Sequence, residues 1–351
     1  MSSLSCASSE AAIVASDGAS GAGVVARGLT KWFGGLCALR IADLELPRTG
    51  VCGLLGPNGA GKTTTIRMIA GVLPPDAGSL AVLGIDMARD AARARRLIGY
   101  LPESAPLYPE LTVDEYLRFR AGIAGLTAAS ARRAAALWAD RCDVARFGHR
   151  CCGALSKGMQ QRVGLAATLL ADPRVVILDE PSVGLDPEQT LAFRQLVREL
   201  GSTRLVILSS HLLSEVESVC SELAIVTGGR VVLQESTERF RMRASEGARL
   251  FAEVDRPVAG DEQLRSLCEG LTERALGDGW YRLEFGALRG DPRPALAGLL
   301  SERGVRLRAL GADAAQLETV FVDLVKRAAE EREGSPERGF AAAGSNSGGH
   351  G

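Results

Sequence analysis

Eight consecutive residues, Gly56-Pro57-Asn58-Gly59-Ala60-Gly61-Lys62-Thr63, have the spacing G-x-x-x-x-G-K-T. The apolar stretch Val51–Leu55 precedes them, and the helix-like Thr63–Gly71 follows the lysine. Glycines at these positions let the chain curl until successive N–H groups point at phosphate oxygens, and a helix N-terminus behind the curl favours negative charge. In such a loop Lys62 neutralises the β- and γ-phosphates, and the Thr63 hydroxyl serves a divalent cation. Gly56 to Thr63, with Thr64 following, are therefore the candidate triphosphate-binding residues.

A second group lies more than a hundred residues downstream. Val175-Val176-Ile177-Leu178 is an apolar run that ends in Asp179-Glu180-Pro181. A buried strand that delivers Asp179 at its C-terminal end supplies the metal-side carboxylate of a phosphate-binding ATPase. Glu180 beside it is placed to orient or deprotonate an attacking water. The two motifs together predict binding and hydrolysis of a nucleoside triphosphate.

Upstream of Asp179 stands Leu155-Ser156-Lys157-Gly158-Met159-Gln160-Gln161-Arg162. Here the chain resembles the ATP-binding subunits of ABC transporters, whose signature is an LSGGQ-like pentapeptide. The resemblance covers roughly residues 24–240, with the motifs in the expected order. It implies ATP and Mg²⁺ as ligands, and a dimer in which Ser156 and Gly158 of one copy cap the ATP held by another. Phe33 is similar to the aromatic that stacks on adenine, ahead of Trp32. Asp186 in Val183-Gly184-Leu185-Asp186 resembles the residue that works across the dimer interface. His211 in Ser209-Ser210-His211 matches the histidine that contacts the γ-phosphate. Lys62, Glu180 and His211 are thus the candidate catalytic groups, and Thr63, Asp179 and Glu103 the candidate metal ligands.

Two positions depart from the family pattern. Glu103, after Gly99-Tyr100-Leu101-Pro102, stands where glutamine is usual, and Lys157 and Met159 replace Gly and Gln of the signature. An LSKGM signature with Leu-Pro-Glu looks most like exporter subunits whose membrane permease is a separate chain. A soluble ABC ATPase acting on ribosomes or DNA and an importer subunit are the alternatives.

These residues need a frame. The runs VCGLLGPNG, VVILDEP and RLVILSSH, flanked by turns, read as buried parallel strands of an α/β fold. The resemblance makes this a P-loop NTPase core of the ABC type, with residues 23–245 as the ATPase domain. Between about 104 and 171 the chain turns to Ala, Leu and Arg at helical spacing, a helical insertion in which Thr112 and Glu115 form a capping box. Leu223–Gln234, divided by Gly228-Gly229, reads as a hairpin. Residues 248–328 read as a small α+β domain, its last helix carrying the stripe Leu317, Val320, Phe321, Leu324, Val325 and Ala328 as its own core. Residues 1–22 and 329–351 are too poor in large apolar groups to offset the entropy of ordering and are expected to be disordered tails.

Composition excludes several classes. With 351 residues, 46% hydrophobic and 24% charged, the chain is an ordinary globular protein. Its 41 basic and 42 acidic residues and 5% aromatics do not make a nucleic-acid surface. Eight scattered cysteines form no C-x-x-C pair, so reduced thiols are expected rather than disulfides or metal sites. No apolar run approaches the roughly 20 residues that cross a bilayer, and the start is not expected to act as a signal peptide. The expected place is the cytoplasm, peripheral on the inner face of the plasma membrane through a permease.

Overall fold

The structure is a computed structural model that describes residues 21–40, 43–246, 250–266, 270–285, 293–312 and 315–333. In chain order it begins with strands β1 (Ala22–Phe33), β2 (Leu36–Arg40), β3 (Asp43–Pro47) and β4 (Gly50–Leu55), then helix α1 (Lys62–Ile69). Strands β5 (Ala77–Val82) and β6 (Ile85–Asp86), helix α2 (Ala91–Arg95) and strand β7 (Ile98–Leu101) follow. Helices α3 (Val113–Ile123), α4 (Ala128–Arg141) and α5 (Lys157–Leu169) come next. The chain then alternates through β8 (Val175–Asp179), α6 (Pro187–Gly201), β9 (Leu205–Ser210) and α7 (Leu213–Val219). The hairpin β10 (Glu222–Thr227) and β11 (Arg230–Ser236) leads into α8 (Thr237–Glu246). Last are β12 (Leu250–Val254), α9 (Glu262–Ser266), β13 (Leu271–Gly277), β14 (Trp280–Phe285), α10 (Arg293–Glu302), β15 (Leu307–Ala312) and α11 (Ala315–Glu333).

The strands read as buried form the centre of a six-stranded sheet ordered β11-β10-β4-β9-β8-β7, parallel except for β11. Its alternation feeds two cores, because successive side chains leave a strand on opposite faces. Leu54, Ile177 and Ile207 join Ile66 of α1 and Val24, Leu44 and Leu80 of an antiparallel sheet ordered β2-β1-β5-β6, in which β3 also pairs β1. Leu55, Leu178 and Leu208 face the other way, into a cluster that takes in Tyr116, Trp138, Val163 and Val197 from the helices. Apolar residues on both faces are what a covered parallel sheet requires. Parallel pairing also brings the C-terminal ends of β4, β8 and β9 side by side, where the chemistry-bearing residues stand.

The C-terminal segment runs β-α-β-β-α-β with its antiparallel strands ordered β13-β14-β12-β15. That is the split-βαβ arrangement. Strand β13 and helix α9 are additional to the sequence reading. LTERALG is exposed over most of its length and lacks the apolar alternation that marks a half-buried strand.

One packing assignment and two boundaries differ from the expectation. The stripe of α11 does not fill the small sheet's core. Leu317, Val320, Phe321, Leu324 and Val325 pack against the larger cluster of the ATPase body. An amphipathic stripe encodes a need for an apolar surface, not which surface supplies it. Residues 329–333 continue α11 rather than opening the tail, since Ala329-Glu330-Glu331-Arg332-Glu333 are good helix formers. Ala22 already belongs to β1. The rest of the two expected tails, 1–20 and 334–351, lies outside the described residues.

Candidate nucleotide and catalytic site

The loop from Gly56 to Gly61 joins β4 to α1 in a curl closed on itself. The Ala60 N–H donates to the Pro57 carbonyl (3.2 Å), and the Gly229 N–H of the hairpin donates to the Ala60 carbonyl (3.0 Å). Gly61 lies in the left-handed region at φ 104°, and a Cβ there would stand 2.8 Å from Leu39 Cδ1. At Gly56 a Cβ would fall 2.1 Å from the Val226 carbonyl oxygen, so the neighbouring strand itself demands glycine. Helix α1 has no side-chain N-cap and no acidic residue in its first turn. Its leading N–H groups thus have no side-chain acceptor, the condition in which a helix N-terminus receives an anion. Lys62, 6% exposed, turns back into the curl, where Nζ donates to the carbonyls of Gly56 (2.8 Å) and Pro57 (3.2 Å).

Asp179 ends β8, next to β9, and Glu180 follows it. Asp179, 1% exposed, accepts at Oδ1 from the Thr63 hydroxyl (3.1 Å) and from the Ser209 hydroxyl (2.7 Å). The same Ser209 oxygen accepts the Glu180 N–H at 2.9 Å. Glu180 has φ 47°, an unusual conformation for a residue with a side chain, costing on the order of 1–3 kcal/mol. The Ser209 hydrogen bond helps hold it there. The turn swings the Glu180 carboxylate over the phosphate loop, where Oε1 stands 3.5 Å from Lys62 Nζ and Oε2 2.8 Å from His211 Nδ1. Lys62, Glu180 and His211, from three different elements, are in one constellation. Ser209 escaped the sequence reading, because its partners lie about thirty residues away and nothing in a serine near a strand end announces them.

A cavity of about 560 Å³ opens above this constellation, within the size range of small-molecule sites. It is lined by Asn58, Gly59, Ala60, Gly61, Lys62, Thr63 and Thr64 of the loop and helix start, by Glu103, Glu180, Val183 and His211, and by Cys37, Ala38, Gly228 and Gly229. Cys37 and Ala38 have no chemical signature in the sequence; they reach the cavity because β2 folds back on β1. Phe33 stands apart from these lining residues. It ends the paired part of β1, half-exposed, with Lys31 Nζ 5.9 Å from its ring centre.

Ser156, Gly158 and Asp186 are not on the cavity wall either. Ser156 caps α5, its Oγ accepting the Met159 N–H at 3.3 Å, and Asp186 caps α6 by accepting the Gln189 N–H at 2.8 Å. Gly158 joins the two, since a Cβ there would lie 2.8 Å from both the Gly184 carbonyl oxygen and Gln189 Oε1. The signature and the Asp186 segment therefore form one surface of the chain, separate from its own phosphate loop.

Among the described residues no three His, Cys, Asp or Glu side chains converge as a self-sufficient metal site. Mg²⁺ rarely needs one, as it commonly takes one or two carboxylates and completes its shell with phosphate oxygens and water. The Thr63 hydroxyl beside the Asp179 carboxylate is a hard-oxygen pair of that kind, with Glu103 on the cavity wall.

Comparison with known proteins places this geometry. Residues 39–183 match the ABC transporter family model, and an AAA domain model matches residues 150–217. The Nod factor export ATP-binding protein I of Ralstonia nicotianae is 34% identical over 307 residues, 86% of this chain and 92% of that protein. The ABC transporter ATP-binding protein YbhF of Escherichia coli is 37% identical over 214 residues, 60% of this chain, which spans only 37% of that relative's length. A solved ATP-binding subunit of an ABC transporter superposes with a TM-score of 0.57 at 30% identity, covering 63% of this chain and 93% of that one. With a relative matched over nearly its whole length and a phosphate loop facing Glu180 and His211, the chain belongs to the ABC transporter family of ATP-binding proteins.

Proposed function

We propose that the chain hydrolyses ATP to power an ABC exporter whose permease is a separate polypeptide. The observation that carries the hydrolytic part is Glu180 held between Lys62 and His211 above the phosphate loop. The loop N–H groups and Lys62 receive the triphosphate, and the Glu180 carboxylate takes the proton of a water attacking the γ-phosphorus as the bond to the β-phosphate breaks. His211 orients Glu180 and contacts the γ-phosphate. Thr63, Asp179 and Glu103 would hold a Mg²⁺ ion, which would supply neutralisation of phosphate charge. Phe33 packs on the adenine.

Two copies act together. Ser156, Gly158 and Asp186, outside each chain's own cavity, cap the ATP of the other copy, and both half-sites are intact in one sequence. The export reading is supported by the relative named for Nod factor export, which this chain matches almost end to end. The protein works on the cytoplasmic face of the membrane, attached through the permease.

Glu180→Gln keeps the size and hydrogen bonding of the side chain but removes its basicity. ATP binding is expected to persist while turnover falls by about 10²–10⁴. Near-normal turnover would remove Glu180 from the catalytic role. Copurification from membranes tests the rest: an integral-membrane permease retained by the chain supports a transport role, its kind separates export from import, and a ribosome or DNA complex in its place overturns the reading.

A further inference from the structure

Strand β9 ends in two fully buried serines whose side chains leave on opposite faces of the sheet. Ser209 serves Asp179 and Glu180, as described above. Ser210 does the same for a different pair: its hydroxyl donates to Glu215 Oε2 at 2.5 Å and accepts the Leu212 N–H at 3.0 Å. Its carbonyl accepts the N–H of Gly56, at the start of the phosphate loop, at 3.4 Å. His211 lies between Ser210 and Leu212, so the residue on each side of it is held by the same hydroxyl group.

Glu215 is the unexplained member of this set. It is 4% exposed on α7, whose other inward residues are Leu213, Val216 and Val219. Its Oε2 has the Ser210 hydroxyl, and its Oε1 has no hydrogen-bond partner among the described residues. A carboxylate set among apolar neighbours with one oxygen unsatisfied is a costly choice for packing alone. What it does is consume the single hydroxyl proton of Ser210. With that proton committed, only the lone pairs of Ser210 remain to engage the backbone, and they face the Leu212 N–H. Without Glu215 the hydroxyl is free to rotate and donate to a carbonyl, and the Leu212 N–H loses a fixed acceptor.

We propose that Glu215 is a positioning residue for hydrolysis: through the Ser210 hydroxyl it fixes the peptide that carries His211, and with it the 2.8 Å contact between His211 and Glu180. The inference rests on the catalytic reading of Glu180 and His211 proposed above. A misplacement of about 1 Å in such a group costs on the order of 10²-fold in rate.

The test uses the full-length chain, with steady-state ATP hydrolysis and thermal melting measured on Glu215→Leu, Glu215→Gln, Ser210→Ala and the double variant Ser210→Ala/Glu215→Leu. Glu215→Leu is expected to lower kcat by about 10–10²-fold with KM for ATP within about twofold. Glu215→Gln, which keeps an acceptor for the hydroxyl, is expected to stay within about threefold of the parent. The double variant removes both polar partners together, so its melting temperature is expected to return to within about 4 °C of the parent. Its kcat is expected to stay as low as that of Glu215→Leu. A packing role alone would restore both, and that result overturns the proposal, as does a Glu215→Leu protein with parental kcat. Glu180→Gln run in parallel separates the two claims. If it hydrolyses ATP normally, the catalytic reading fails, whereas an inactive Glu180→Gln beside a fully active Glu215→Leu refutes the positioning role alone.

Discussion

His211 Nδ1 and Glu180 Oε2 meet at 2.8 Å across the tips of two adjacent parallel strands. Neither side chain is positioned by its own sequence neighbours alone. Glu180 is swung into place by a left-handed backbone held from the next strand, and His211 follows Ser210, whose hydroxyl is bonded to Glu215 of α7. The contact is the point at which β8, β9 and the phosphate loop are brought into one register, and several consequences are measurable.

Removing the Ser209 hydroxyl strips one partner from Asp179 and the side-chain acceptor of the Glu180 N–H. Ser209→Ala is expected to destabilise the fold by about 1–3 kcal/mol, the cost of leaving buried polar groups unsatisfied. Turnover is expected to fall by about 10-fold or more, because Glu180 loses the anchor of its strained turn. Urea unfolding and steady-state ATP hydrolysis read the two effects. Parental values in both would show that the bridge is dispensable.

Glu103 lines the cavity together with the phosphate loop. As a carboxylate on the cavity that Thr63 also lines, it is expected to strengthen the hold on a hard cation. Glu103→Gln should raise the Mg²⁺ concentration for half-maximal turnover while leaving nucleotide affinity unchanged. An identical Mg²⁺ titration would assign Glu103 to the loop's geometry instead.

The apolar stripe of α11 lies on the ATPase body, so trimming it should be felt there. Phe321→Ala is expected to cost about 1–2 kcal/mol, less than a fully buried phenylalanine because the ring is only partly covered. The check is the urea midpoint of the phase that also abolishes ATP binding. A midpoint shift confined to a separate transition would place the helix with the small sheet.

Asp76 illustrates an acid-sensitive link. The hydrogen bond from Lys31 Nζ (2.8 Å), and next the Trp32 N–H, hold its carboxyl below the ordinary carboxylate value. A depressed carboxyl contributes stability that is present above the unfolded value of about 4 and is lost as pH falls through the lower folded value. Lys31→Met should move the Asp76 titration upward by NMR and narrow the difference in stability between pH 5 and pH 3. No movement would mean that the backbone N–H alone holds the carboxylate.

Local chemistry was legible without the fold. The phosphate loop, the Asp179-Glu180 strand end and the Thr112–Glu115 capping box, which the structure forms reciprocally, all depend on residues a few positions apart. Sequence spacing and spatial spacing are nearly the same thing over such distances. The buried strands were legible for a related reason: apolar residues on both faces leave few other places for a run to sit.

Tertiary structure decided what depends on register between distant segments. Ser209 reaches Asp179 because β8 and β9 pair with those two residues opposite each other, a relation thirty positions long that no local pattern encodes. Strand β13, mostly exposed, takes its form from pairing with β14, and the stripe of α11 needed an apolar partner that several surfaces could have supplied. The sequence determined the kind of contact each residue requires, because side-chain chemistry is local. Which residue meets that requirement was settled by strand order and helix docking, because those bring together groups that the chain itself keeps far apart.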